Sequence, residues 1–172
     1  AFEAPWRMLP PARTIEADTA VVGGGMAGMS AALAAADAGG RVVLVERSAM
    51  LGGDAAFFGA AGDEEQPETV IEDLAARIKA TPSITVLLGA DAERLTGTRL
   101  RVHQVDVKDG RPLGRVLEID GKRIVLATGA SERLPIFPGN RLPGVVGAVA
   151  AFHRAEKYGV WRGQNAIFST PH

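Results

Sequence analysis

Cysteine is absent from this chain of 172 residues. That excludes a redox disulfide, a thiolate metal site, an iron–sulfur ligand set and a cysteine-linked cofactor within it. The absence fits a reducing compartment, and the cytoplasm is the expected location. Long apolar runs are missing too. The longest candidate, residues 145–152, falls far short of the roughly 20 residues that span a bilayer, so no membrane span is expected. An excess of one charge is also lacking. With 19 Lys and Arg against 20 Asp and Glu, the formal net charge is −1. That balance gives no electrostatic case for nucleic acid or an anionic membrane as partner. The three histidines, His103, His153 and His172, are scattered, with no spacing of a metal site or a catalytic triad. They read as structural or surface groups, and no metal is expected. The N-terminus, Ala1-Phe2-Glu3-Ala4-Pro5-Trp6-Arg7, has no basic start leading into an apolar core, so it does not read as a signal peptide. It also has no initiator Met, as expected of a trimmed chain.

What remains is a composition that is 47% apolar, enough for one globular domain with a real core. Residues 1–17 carry three prolines and read as an irregular leader. A short buried strand is expected at 19–22 and a helix at 25–38, ended by Gly39-Gly40. The near-continuous apolar run at 41–46 suits a parallel strand covered on both faces. Residues 51–66 are Gly- and Ala-rich, then acidic, and read as a loop beside a ligand. Asp63-Glu64-Glu65 reads as its solvated part. Pro67 can open a helix in which Val70, Leu74 and Ile78 share one face. A third parallel-type strand follows at 84–88. Strands at 100–107, 115–119 and 122–126, with turn signals at Asp109-Gly110 and Asp120-Gly121, form an antiparallel meander inserted into the parallel fold. A Pro-rich segment, a helix at 146–158 and a strand at 166–169 complete the pattern. The fold class is therefore α/β, a Rossmann-like parallel sheet with an inserted meander. Trp6 and Trp161 lie outside the motifs and suit either an interface or local packing.

The richest signal is Val21-Val22-Gly23-Gly24-Gly25-Met26-Ala27-Gly28, with Glu46 lying 18 positions after Gly28. Gly23 lets the chain turn sharply out of a strand. Gly25 lets backbone approach a pyrophosphate, and Gly28 lets the helix pack closely on the strand. The helix start then offers unpaired N–H groups and a positive dipole end to the phosphates. No Gly-Lys-Ser/Thr follows, which disfavours a nucleotide-hydrolysing P-loop. At the end of the second strand, Glu46 can accept hydrogen bonds from a ribose hydroxyl pair and would repel a 2′-phosphate, so NADP is not expected. Gly52-Gly53 allows backbone to lie against a ligand, although alone it equally suits a flexible connector. Ala127-Thr128-Gly129-Ala130 leaves room for a nucleotide at a strand end, and by itself also suits an ordinary turn.

Together these three segments resemble the FAD-binding domain of the two-dinucleotide-binding flavoprotein superfamily, over about residues 18–145. Leu126-Ala127-Thr128-Gly129-Ala130-Ser131-Glu132-Arg133, then Phe137-Pro138-Gly139-Asn140, Leu142-Pro143-Gly144-Val145 and Lys157-Tyr158-Gly159-Val160 support a narrower resemblance. They are similar to the alpha subunits of heterotetrameric sarcosine oxidase and to the related dye-linked L-proline dehydrogenase, opine dehydrogenase and hydrogen cyanide synthase subunits. The resemblance implies that Gly23, Gly25, Met26, Ala27 and Gly28 wrap the pyrophosphate. Glu46 would hold the ribose, with Arg47 and Ala92 near the adenine. Gly52 and Gly53 would line the inner half of the cofactor, and Ala127, Thr128 and Gly129 would approach it from the other side. It implies FAD, with NAD as the alternative, and an oxidoreductase subunit of an amine- or imino-acid-oxidising hetero-oligomer. The other implied function is a nucleotide-holding subunit that binds NAD or ATP while a partner carries the catalytic flavin. Catalytic residues stay unassigned, since in flavin chemistry the cofactor moves the electrons and the protein supplies position and electrostatics. Residues 146–172 would be the helix and first strand of a second dinucleotide-binding module. No glycine fingerprint follows at Thr170-Pro171-His172, so the chain is expected to be the N-terminal part of a longer subunit with an incomplete sheet.

Overall fold

A computed structural model describes residues 11–57, 60, 62–160 and 163–169. The expectations for residues 1–10, Trp6, Trp161 and 170–172 lie outside the described residues. Six strands form one sheet in the order β3-β2-β1-β6-β5-β4. They are β1 (Arg13–Val22), β2 (Val42–Val45), β3 (Ile84–Leu87), β4 (Ala90–Thr96), β5 (Arg99–Lys108) and β6 (Arg111–Leu126). β1 runs parallel to both β2 and β6, and β2 parallel to β3, whereas β4, β5 and β6 are antiparallel. Among the described residues three α-helices accompany the sheet, α1 (Met26–Asp37), α2 (Pro67–Lys79) and α3 (Ala148–Glu156), and a short 3-10 helix, Gly53–Phe57, lies in the segment expected to be a loop.

Strand periodicity divides the core into two. Val42 and Leu44 face α1 and α2, where they are buried with Met29, Ala32, Leu33, Leu74 and Ile78. Val43 and Val45 point the other way and pack with Leu100, Val102, Leu117 and Ile119 of the meander. β2 is thus buried on both faces, which its unbroken apolar run requires. α1 forms because alanine is the strongest helix former. It ends in a Schellman motif: the Gly40 N–H donates to Ala35 O at 3.1 Å and the Gly39 N–H to Ala36 O at 2.8 Å, with Gly39 at φ +83°.

Four expectations need correction. The leader ends earlier than residue 17, because β1 already begins at Arg13. In its first half Arg13, Thr14 and Glu16 are exposed while Ile15 and Ala17 face the core, and it pairs with β6 through Arg13↔Leu117 to Ala17↔Gly121. The strands expected at 115–119 and 122–126 are one continuous β6, and Asp120-Gly121 is not a turn. Gly121 sits where an added Cβ would lie 3.2 Å from Arg123 O and 3.5 Å from the Ala20 side chain, so it permits close strand packing. β4 carries no sequence signal because it is a largely exposed edge strand, and it turns into β5 at Gly97, φ +61°. Residues 166–169 form no strand; they have no pairing partner among the described residues, and an unpaired strand leaves its backbone groups unsatisfied.

Candidate dinucleotide site

β1 ends at Val22 and the chain turns at Gly23, φ +105°. A Cβ at Gly23 would overlap the Ala127 carbonyl, and one at Gly28 would overlap the Gly23 carbonyl. These two glycines therefore let three backbone segments meet: the turn, the start of α1 and the end of β6. The Ala127 N–H donates to Val22 O at 2.8 Å, which holds the 127–129 segment beside the turn. α1 starts from Gly25 with no side-chain cap and no acidic residue in its first turn. Its first N–H groups have no intrahelical partners and lie available to an anion.

Gly52-Gly53 comes to the same place. The Gly52 N–H donates to Gly24 O at 2.8 Å, and Gly52 makes a parallel bridge with Gly25. Gly52 and Gly53 take φ values of +116° and +59°, a backbone suited to glycine, and a Cβ on Gly53 would lie 3.2 Å from Gly25 Cα. This is a built contact rather than a flexible connector.

Glu46 follows β2 directly and is only 8% exposed. Its Oε2 accepts the Gly24 N–H at 2.6 Å, and its Oε1 accepts both the Ser48 N–H and the Ser48 hydroxyl at 2.7 Å. Burial pushes its pKa up. The hydrogen bonds from Ser48 and Gly24, with the nearby Arg47 charge, outweigh burial and hold it below the ordinary carboxylate value. The acid is ionised at neutral pH and ties the glycine turn to β2. Gly24 must be small here, since a Cβ would press on Leu51 and on the Glu46 side chain. Gly24 and Ser48 escape a sequence reading because the fingerprint leaves the middle glycine free and assigns nothing to the residue two beyond the acid.

Gly23, Gly25, Gly28, Glu46, Gly52, Gly53 and Ala127 thus converge, with Met26 and Ala27 opening α1 among them. Arg47, Thr128 and Gly129 are exposed beside them in sequence. Ala92 stands apart: it lies on β4, packed against the meander core, two residues beyond Ala90, whose N–H donates to Glu46 O at 2.9 Å. Among the described residues, His103 and His153 lie outside the glycine turn. His103 pairs with Glu93 at 2.9 Å, and the His153 ring stands edge-on to Phe57. Among the described residues no cluster of His, Asp and Glu could hold a metal ion. An apolar groove of about 750 Å³ lies between residues 132–137, α3 and residues 165–169, and no residue of the glycine turn lines it.

A parallel strand, a glycine turn, an uncapped helix start and a buried acid at the next strand end define a Rossmann-like dinucleotide-binding domain. Residues 17–161 match the Pyridine nucleotide-disulphide oxidoreductase family, and the chain belongs to that family. It is 33% identical over 161 residues to "Sarcosine oxidase subunit alpha" of Rhizobium meliloti (strain 1021), covering 89% of this chain and 16% of that protein. It is 33% identical over 133 residues to "Hydrogen cyanide synthase subunit HcnB" of Pseudomonas protegens, covering 73% of this chain and 27% of the relative. Among solved structures, L-proline dehydrogenase from P. horikoshii superposes with a TM-score of 0.64 at 28% identity, over 92% of this chain and 31% of that one. The chain therefore spans only a fraction of the length of its relatives. The family and these relatives support FAD as the cofactor. The site fits it: bare backbone at Gly25 and Gly53, unpaired helix N–H groups and an ionised acid suit the pyrophosphate and ribose of an adenine dinucleotide. The family name mentions disulphides, but Asp54-Ala55-Ala56-Phe57 follows Gly53 and the chain has no thiol to exchange.

Proposed function

We propose that this chain binds FAD across the Gly23–Gly28 turn as part of an oxidoreductase subunit that oxidises the CH–NH bond of an amine or imino acid, such as sarcosine, proline or an opine, within a hetero-oligomer. The observation that carries the reading is the convergence of Gly25, Gly52-Gly53 and the ionised Glu46 on the uncapped start of α1. The start of α1, with Met26, Ala27 and Gly28, neutralises the pyrophosphate through N–H groups and the helix dipole. Glu46 accepts from the ribose hydroxyls with lone pairs left over from Gly24 and Ser48. Arg47 and Ala92 flank the adenine, while Thr128 and Gly129 approach the inner half. When bound, FAD supplies the two-electron chemistry, and the chain's residues hold and orient it. The substrate class is supported by the names of the sarcosine oxidase and L-proline dehydrogenase relatives. Residues 146–172 belong to the start of a second module in this reading.

A second reading has its own observation. Every contact built around Glu46 and α1 addresses the ADP half, which FAD and NAD share. The subunit then holds NAD or ATP while a partner carries the catalytic flavin. Titration of FAD and of NAD into nucleotide-depleted protein separates the two readings. The first predicts tighter FAD, and Glu46→Ala weakens it by about 1–3 kcal/mol through lost charge-assisted hydrogen bonds. Tight NAD with no FAD binding supports the second. Unchanged affinity in Glu46→Ala removes the ribose assignment.

A further inference from the structure

We infer that Gln104, on the meander, is a positioning residue for Glu46 and sets how strongly the site reads the ribose 2′-hydroxyl. This inference rests on the ribose role proposed above for Glu46. Gln104 is 7% exposed and pairs in register with Ala90 and Arg115 across β5. Its Nε2 donates to Leu88 O at 2.9 Å, and its Oε1 accepts from Arg115 Nε at 3.0 Å. Those two partners fix the orientation of the amide.

Leu88 belongs to the turn between β3 and β4, and that turn holds the acidic segment. The Glu46 N–H donates to Leu87 O at 2.8 Å, the Ala90 N–H to Glu46 O at 2.9 Å, and the Gly89 N–H to Ser48 O at 2.9 Å. From the meander side, Gln104 grips Leu88, and the Val105 N–H donates to Gly89 O at 2.9 Å. Gly89 sits at φ +59°, and a Cβ there would lie 2.7 Å from Val105 O, so the turn has little room to shift. The turn is clamped on one side by the meander and clasps the backbone of Glu46 and Ser48 on the other. Ser48 supplies both hydrogen bonds to Glu46 Oε1. Movement of the turn therefore re-aims the carboxylate, although Gln104 touches neither Glu46 nor the ligand region.

Removing the Gln104 amide takes the side-chain donor from the part-buried Leu88 carbonyl and frees the turn. A residue that merely stabilises the fold lowers affinity for all adenine nucleotides alike. One that aims Glu46 weakens ligands with a 2′-hydroxyl more than those without it. The test measures ADP and 2′-deoxy-ADP binding to nucleotide-depleted full-length protein by calorimetry, for wild type, Glu46→Gln and Gln104→Leu. Wild type is expected to prefer ADP by about tenfold, the size of one good hydrogen bond. Both variants should collapse that ratio towards one; Gln104→Leu should hold 2′-deoxy-ADP affinity within about threefold, whereas Glu46→Gln also weakens 2′-deoxy-ADP through the 3′-hydroxyl and the Gly24 contact. Arg115→Met removes only the donor that orients the amide; it is expected to reduce the ratio partway, and it serves as the probe if Gln104→Leu does not fold. A ratio that falls in Glu46→Gln but stays at the wild-type value in Gln104→Leu or Arg115→Met overturns the positioning role. A ratio near one in wild type, or unchanged in Glu46→Gln, overturns the ribose role itself.

Discussion

Glu46→Gln changes one atom in shape and tests whether the carboxylate fastens the glycine turn. In the native protein Oε2 faces one donor, the Gly24 N–H, and Oε1 faces two, the N–H and hydroxyl of Ser48. A glutamine must point its NH₂ at one of these sets. Turned towards Gly24, it sets donor against donor at a buried position, which costs about 1–3 kcal/mol. Its oxygen still serves Ser48, but those bonds lose their charge assistance, roughly half their strength. At 8% exposure, water cannot make up the difference. The total is about 2–4 kcal/mol of folding stability. For a chain of this size each kcal/mol moves Tm by roughly 2–4 °C, so a fall of roughly 5–15 °C is expected. Thermal and urea unfolding of nucleotide-free protein, read by far-UV circular dichroism, supply the number. Stability within about 0.5 kcal/mol of wild type would refute the claim that Glu46 ties the turn to β2.

Gly28→Ala places a methyl onto the Gly23 carbonyl, a backbone atom that cannot swing away; a loss of about 1–3 kcal/mol in urea unfolding is expected, and none would contradict the packing described. Glu132 accepts the Ala148 N–H at 2.6 Å and the Val149 N–H at 3.1 Å, capping α3 from outside the helix. Glu132→Ala should therefore speed amide exchange across residues 148–156 while leaving β1 and β2 protected; uniform exchange with wild type would remove the capping role. The Lys122 ammonium and the Arg41 N–H beside Asp18 lower its carboxyl pKa from 3.8 to about 2. Because the folded value is the lower one, this contribution is full above the ordinary value and is lost as pH falls through about 2. Lys122→Met should flatten the acid limb of the stability curve in that window, measured by urea unfolding at stepped pH, and an unchanged limb would exclude the pair as its source. Glu46 shares the sign: its contribution is full above the ordinary carboxylate value and is lost as pH falls through its lowered pKa.

The parallel half of the fold was readable because burial on both faces leaves a run such as Val42-Val43-Leu44-Val45 with no other use. The helix start was readable because glycines at 23, 25 and 28 answer backbone geometry rather than side-chain packing. The meander was less so. β4 is a short edge strand and the first half of β1 is half-exposed; the alternations Ala90-Asp91-Ala92-Glu93 and Ile15-Glu16-Ala17-Asp18 rest on small or single apolar residues and are weak signals. Asp120-Gly121 has the composition of a turn, yet long-range pairing with both β1 and β5 keeps Asp120 extended in β6, and tertiary contacts overrode the local signal. At the site, the convergence of the glycine turn, Gly52-Gly53 and Glu46 was legible, whereas Ser48, which donates to Glu46 two positions away, and Gln104, which donates to Leu88 at a sequence distance of 16, were not. Such partners follow from the register of the meander, which no local pattern states.

The central claim is that the Gly23–Gly28 turn, Gly52-Gly53 and Glu46 hold a flavin dinucleotide. The most direct measurement is the visible spectrum of the purified full-length subunit, together with the mass of any nucleotide released on denaturation. A flavin spectrum with FAD in the released fraction is the expected result, and both should diminish in Glu46→Ala. A colourless protein that releases no FAD and fails to bind it on titration would contradict the account.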